Sequence, residues 1–221
     1  MTKRKNVMTP ICVIGCFVLS LSARPVAAQS WKPLNPPAPR FYHSTAYDPT
    51  TNQMFVFGGL KGGPLNATGL LNDVWRLTSA DGPGLSWFRL TPTGTPPARR
   101  SGAQTVYNPG SNKLVLFGGG LGFTSPCAND VWTLNNANGN GGIPSWAELT
   151  PSGTPPAPRE DFAAVYDPTS DGMIVFGGDT CFTPRFNDVW VLYNADGVGG
   201  TPTWTQLSPT GVPPTPRDHC A

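Results

Sequence analysis

The stretch Tyr47-Asp48-Pro49, Phe57-Gly58-Gly59, Asn72-Asp73-Val74-Trp75, Trp87-Phe88-Arg89-Leu90 decides the fold, because the chain writes it three times. The second copy runs Tyr107-Asn108-Pro109, Phe117-Gly118-Gly119, Asn129-Asp130-Val131-Trp132 and Trp146-Ala147-Glu148-Leu149. The third runs Tyr166-Asp167-Pro168, Phe176-Gly177-Gly178, Asn187-Asp188-Val189-Trp190 and Trp204-Thr205-Gln206-Leu207. The copies lie about 58 to 60 residues apart, a period in the range of propellers and solenoids.

Each copy divides into four strands. Strand a covers roughly Ser44 to Tyr47, and the Asp/Asn-Pro after it is turn chemistry. Strand b covers Gln53 to Phe57, Lys113 to Phe117 and Gly172 to Phe176. It is almost continuously apolar, which reads as a strand buried on both faces and so packed between two similar sheets. Strand c covers Asp73 to Leu77 and strand d Trp87 to Leu90, joined by Asp81-Gly82, Asn138-Gly139 and Asp196-Gly197 turns. No segment carries a sustained helical period. Between copies stand Pro36-Pro37-Ala38-Pro39-Arg40, Pro96-Pro97-Ala98-Arg99-Arg100, Pro155-Pro156-Ala157-Pro158-Arg159 and Pro213-Pro214-Thr215-Pro216-Arg217, which cannot lie in central strands and act as connectors.

The recurrence of Phe-Gly-Gly, Asn-Asp-Val-Trp and a later Trp at fixed offsets resembles the kelch family of β-propellers, over nearly all of Gln29 to Ala221. The resemblance implies an all-β fold: a kelch-type propeller with three complete four-stranded antiparallel blades and a partial unit. Residues 40–98, 99–158 and 159–212 form the blades, 29–39 an orphan strand d with its connector (Trp31-Lys32-Pro33-Leu34 matches Trp87-Phe88-Arg89-Leu90), and 213–221 the start of a fourth. The blades exceed the family's period of about 50 residues, and closed propellers have about four to eight blades, so an incomplete propeller is expected. A natural three-blade protein that pairs with a second copy is the alternative.

The first 28 residues read as a secretory leader: Lys3-Arg4-Lys5, an apolar run from Ile11 to Leu21, and small residues ending Val26-Ala27-Ala28. The run is too short for a transmembrane anchor. Cleavage near Ala28 is expected, giving a secreted, periplasmic or cell-surface protein, with lipidation at Cys16 the rival. The leader carries Lys3, Arg4, Lys5 and Arg24 and no acid, so the formal +2 of the whole chain becomes −2 without it. That balance, with no basic cluster, argues against nucleic acid as a partner. Outside the leader are Cys127, Cys181 and Cys220. A Cys127–Cys181 bridge and two free thiols both stay open, since sequence cannot place the sulfurs within bonding distance.

All seven tryptophans occupy repeat-equivalent positions, which assigns them to blade packing rather than to a sugar platform. Asp73, Asp130 and Asp188 repeat too and are expected to accept backbone hydrogen bonds. No metal set (the histidines are His43 and His219), no catalytic constellation and no cofactor emerges. The chain is therefore expected to be a binding or scaffold module for a protein or glycan, with self-association through open blade edges. The alternative is the propeller part of a secreted oxidase or carbohydrate-active enzyme whose catalytic residues lie elsewhere. The loops between strands b and c vary most between copies, and with the connectors they share one face. Lys61, Asn66, Phe123, Asp179, Phe182 and Arg185 are the expected contacts, with Arg40, Arg100 and Arg159 beneath them at the channel mouth. Each arginine is alternatively paired with an acid or carbonyl of a neighbouring blade.

Overall fold

A computed structural model of the chain describes residues 35–62, 69–122 and 125–219. The expected leader and the expected orphan strand at 31–34, together with Cys16, Asn66, Phe123 and Cys220, lie outside the described residues. Three antiparallel sheets follow one another. The first contains β1 (Arg40–Phe41), β2 (Ser44–Asp48), β3 (Gln53–Lys61), β4 (Leu70–Thr78) and β5 (Ser86–Arg89). The second contains β6 (Gln104–Asn108), β7 (Lys113–Gly120), β8 (Cys127–Asn135) and β9 (Ser145–Leu149). The third contains β10 (Ala163–Asp167), β11 (Gly172–Phe176), β12 (Val189–Tyr193) and β13 (Thr203–Leu207). Each is a four-stranded meander in chain order, and β1 adds a fifth member to the first by pairing with the end of β3. These are the blades of an incomplete kelch-type propeller. Among the described residues no helix is long and apolar enough to cross a membrane.

Two of the b strands run past their expected ends. After Phe57 the β3–β4 pairing shifts at a bulge and resumes as Gly59↔Leu71 and Leu60↔Leu70; the second blade repeats this as Gly119↔Ala128 and Gly120↔Cys127. The glycine pair bends the strand instead of ending it. Gly119 sits at φ +103°, and a Cβ there would lie 2.7 Å from the Ala103 Cβ and 2.8 Å from the Ser101 carbonyl oxygen, so only glycine fits. In the third blade β11 stops at Phe176, and the chain to Val189 is loop.

Blades pack face to face through the alternation of strand residues. Phe55, Phe57 and Val74 of the first blade meet Ala103, Tyr107, Leu114, Leu116, Leu134 and Trp146 of the second. Val106, Val115, Phe117 and Val131 of the second meet Phe162, Met173, Val175, Trp190, Leu192 and Trp204 of the third. The Trp of each later strand d docks on the Phe of the preceding Phe-Gly-Gly: Trp146 on Phe57 at 5.6 Å between ring centroids, Trp204 on Phe117 at 4.8 Å. Each such pair adds about 0.5–1.5 kcal/mol beyond its buried area. Trp146, Trp190 and Trp204 are thus buried packing residues, while Trp75, Trp87 and Trp132 are half-buried.

Candidate ligand-binding face

The connector arginines are pillars inside the blades. Arg100, whose side chain is 1% exposed, donates to both Asp130 carboxylate oxygens at 2.6 and 2.8 Å, to the Gly118 carbonyl at 2.8 Å and to the Ala98 carbonyl at 3.0 Å. Arg159 repeats the pattern with Asp188, Gly177 and Ala157, and Arg40 with Asp73, Gly58 and Ala38. The guanidinium fork matches the carboxylate in two parallel bonds, which fixes each connector to its own blade. Two expectations are corrected. Arg40, Arg100 and Arg159 do not offer their charge to a ligand, because burial and these bonds consume it. Asp73, Asp130 and Asp188 accept from side chains, the Arg and the indole N–H two residues on, each at 2.7 Å from Trp75, Trp132 and Trp190. Burial pushes these three carboxyls up, but the arginine and indole hydrogen bonds outweigh it and hold them below the usual carboxylate range.

The two ends of the blades differ in kind. At the a–b and c–d end the same locks recur. Asp48, Asn108 and Asp167 accept from the backbone N–H two residues on, and Tyr47, Tyr107 and Tyr166 donate to Asn52, Asn112 and Asp171. Across the blade boundaries Asn138 donates to the Asp48 carboxylate at 3.5 Å and Asn108 to the Asp196 carboxylate at 2.9 Å. Most polar side chains there bond to one another, although Gln53 Oε1 and Ser111 Oγ are buried without a partner.

At the b–c end the residues just after each connector arginine change from unit to unit: Phe41-Tyr42, Ser101-Gly102, Glu160-Asp161, Asp218-His219. The second residue of each pair has the same left-handed backbone, at φ 54°, 64°, 53° and 51°. Such a conformation in Tyr, Asp and His is uncommon and clusters at functional sites. Backbone bonds join them, Gly102 N–H to the Tyr42 carbonyl and Asp161 N–H to the Gly102 carbonyl, both 2.9 Å. His219 lies 3.3 Å from the Asp161 carboxylate and 3.5 Å from the Tyr42 hydroxyl. These residues and the b–c loops wall a cleft of about 270 Å³ lined by Tyr42, Glu160, Asp161, Asp179, Phe182 and His219 among others.

The cleft is acidic. Glu160 is pushed up to about 7 by burial and by the charges of Asp161 and Asp179. Burial also raises Asp161, with the Asp179 charge adding and His219 opposing, and raises Asp179. Arg185 pairs with Asp218 at 2.7 Å, and this bond holds the Asp218 carboxyl low. Two aromatic rings, Tyr42 at 45% and Phe182 at 63%, stay exposed at the rim.

Of the contacts expected from sequence, Asp179 and Phe182 line the cleft, while Lys61 and Arg185 are exposed residues of the b–c segments. Cys127 and Cys181, left open, form a disulfide that ties the start of β8 to the b–c loop of the third blade. Tyr42, Glu160, Asp161 and His219 also line the cleft and are not among the contacts expected from sequence. The available signal was that the two residues after an otherwise repeated Pro-Arg connector differ in all four units.

The chain matches the family model described as KLHDC2/KLHL20/DRC7 Kelch-repeats domain over residues 15–142 and 111–221. It is 30% identical to Adagio-like protein 1 of Oryza sativa subsp. japonica over 211 residues, 90% of this chain and 31% of that protein. It is 28% identical to Adagio protein 3 of Arabidopsis thaliana over 208 residues, 90% of this chain and 30% of that one. To Dynein regulatory complex subunit 7 of Chlamydomonas reinhardtii it is 32% identical over 106 residues, 48% of this chain and 8% of that one. The chain thus spans under a third of the length of these relatives. A solved structure described as "Structure of YjhT" superposes with a TM-score of 0.53 at 14% identity, covering 79% of this chain and 53% of that one, a likeness of fold.

Proposed function

The chain belongs to the kelch-repeat family, and from that premise we propose that it is an exported protein-binding module whose ligand face is the b–c end of its blades. The carrying observation is the contrast between the two ends. At the a–b and c–d end an equivalent Tyr makes the same bond to an Asn or Asp in every blade, whereas the b–c end places a different pair after each connector arginine around an acidic, aromatic-rimmed cleft. Packing explains what repeats; it does not require Glu160, Asp161 or Phe182 where other blades carry other residues. A protein ligand is favoured over a glycan because no tryptophan, the side chain best suited to sugar stacking, is among the described residues that line the cleft. Export rests on the basic, apolar and small-residue segments that end at Ala28.

The test selects peptides from a random phage-displayed library on the immobilised full chain and measures their affinity for two variants. One carries Glu160→Ala, Asp161→Ala and Phe182→Ser; the other carries Gly-Ser replacements of the c–d turns at 80–84, 138–142 and 196–200. Loss of binding in the first, with the second unchanged, is expected. Loss in the turn variant alone, with both variants folded, would place the ligand at the opposite end.

A further inference from the structure

One corner of the cleft sets Glu160 beside two cysteine sulfurs, whose chemistry peptide binding does not use. The Sγ atoms of Cys127 and Cys181 and a carboxylate oxygen of Glu160 lie within 4.8 Å of one another. They come from three segments: the first residue of β8, the loop between β11 and β12, and the residue after the pillar Arg159. The fold holds each in place independently. Cys127 pairs with Gly120 in the β7–β8 ladder, and the Cys181 N–H donates to the Asp179 carboxylate at 2.7 Å. Glu160 and Asp179 exchange two backbone bonds of 3.0 Å. Gly120 matters too: a Cβ there would collide with Oε2 of Glu160 and lie 3.3 Å from the Cys181 Sγ, so the missing side chain is what lets the carboxylate reach the sulfurs. The equivalent of Glu160 is Phe41 in the first unit and Ser101 in the second, so the blade itself does not call for a carboxylate here.

We infer that this corner is a redox-gated metal site: with the disulfide reduced, Cys127, Cys181 and Glu160 bind one thiophilic divalent cation of the zinc class. The oxidised pair cannot ligate, since each sulfur is bonded to the other. A dithiol reductant supplies two electrons and two protons, the S–S bond breaks, two thiols form, and the reductant leaves as its own disulfide. A divalent cation then displaces both thiol protons and takes two thiolates and the Glu160 carboxylate, leaving a net charge of −1 and a fourth position for water. Soft sulfur ligands select zinc-class ions over calcium or magnesium, and three protein ligands suit a tetrahedral centre with one open position. Bound metal would fasten the Asp179–Phe186 loop to the second blade in reducing surroundings, as the disulfide does in oxidising ones.

The test uses the full chain, reduced with dithiothreitol that is then removed anaerobically, and titrates Co²⁺ as the probe. The reduced protein should show thiolate-to-cobalt charge-transfer and tetrahedral d–d absorption saturating at one ion per chain, displaced by Zn²⁺. The oxidised protein should show none. Cys181→Ser, on the loop rather than in a strand, should lose the band, and Glu160→Gln should weaken binding by at least about tenfold. Circular dichroism on each reduced sample reports whether the sheets persist. The inference is overturned if the reduced protein gives no band, folded or not, if oxidised and reduced protein respond alike, or if Glu160→Gln binds as tightly as wild type.

Discussion

Replacing Asp130 by Ala tests whether the Arg–Asp pillars hold the blades. The Arg100 side chain is 1% exposed and Asp130 26%, so the substitution leaves a guanidinium inside the protein without its counter-charge. Breaking a buried pair from one side costs about 3–5 kcal/mol. Arg100 keeps two of its acceptors, the carbonyls of Gly118 and Ala98, and Asp130 is partly wet, which together point to the lower end, about 3 kcal/mol. For a unit of this size that is roughly 6–12 °C in Tm, at about 2–4 °C per kcal/mol. Urea unfolding followed by tryptophan fluorescence and by circular dichroism measures it. The double variant Arg100→Met with Asp130→Leu should recover most of the loss, because removing both charges leaves nothing buried and unpaired. The pH dependence has a fixed sign. The Asp130 carboxyl is held below its unfolded value, so its stabilisation is complete above about pH 4 and is lost as pH falls through the lower folded value. Wild type and Asp130→Ala should therefore converge in acid and diverge near neutrality. A loss below about 1 kcal/mol at pH 7, or a gap that does not close in acid, would refute the reasoning.

Other outcomes follow from the same contacts. Val106 and Val165 are equivalent residues, but Val106 is 5% exposed against the third blade and Val165 is 60% exposed, so Val106→Ala should cost about 2 kcal/mol in urea unfolding and Val165→Ala under about 0.5. Gly119→Ala should cost about 2 kcal/mol or more through its backbone and its collision with Ala103 and Ser101, whereas Gly62→Ala, with nothing within 4 Å, should be within about 0.5 of wild type. Glu160 is raised in the folded state, so folding takes up its proton and wild-type stability falls as pH climbs from about 4.5 to about 7. Glu160→Gln should therefore gain on wild type at pH 8 relative to pH 5, and urea midpoints at the two pH values that differ from wild type by the same amount would contradict the assignment.

What was legible in the sequence is what repeats. Phe-Gly-Gly, Asn-Asp-Val-Trp and the later Trp each do one packing task three times, so counting them yielded the four strands of each blade and the buried tryptophans. The strand ends were less legible, because a glycine pair can end a strand or bend it. The carbonyls of Phe41, Ser101 and Glu160 come so close to the second glycine that no Cβ fits in any blade, yet the strand bends on in the first two blades and stops in the third. The pillar partners were hidden for a different reason. Arg100 and Asp130 are 30 residues apart, and nothing in a one-dimensional pattern says that the connector folds back onto strand c of its own blade.

The cleft shows where repetition stops informing. Its residues follow the most repeated element of the chain, the Pro-Arg connector, and share one left-handed backbone in all four units, so position is set by the repeat while chemistry is not. A scaffold that fixes the backbone at such a point lets Tyr42, Gly102, Asp161 and His219 differ at little cost to the blades beneath, since in the three complete blades the pillar arginine two residues earlier carries the fastening. If that division of labour holds, substitutions at Asp161 or Phe182 should alter peptide affinity while leaving the urea midpoint within about 0.5 kcal/mol, and those at Asp130 or Asp188 should do the reverse at temperatures where both proteins are folded. Variants that move affinity and stability together in both sets would mean that cleft and pillar are one cooperative unit, with the varied pairs belonging to the blade core after all.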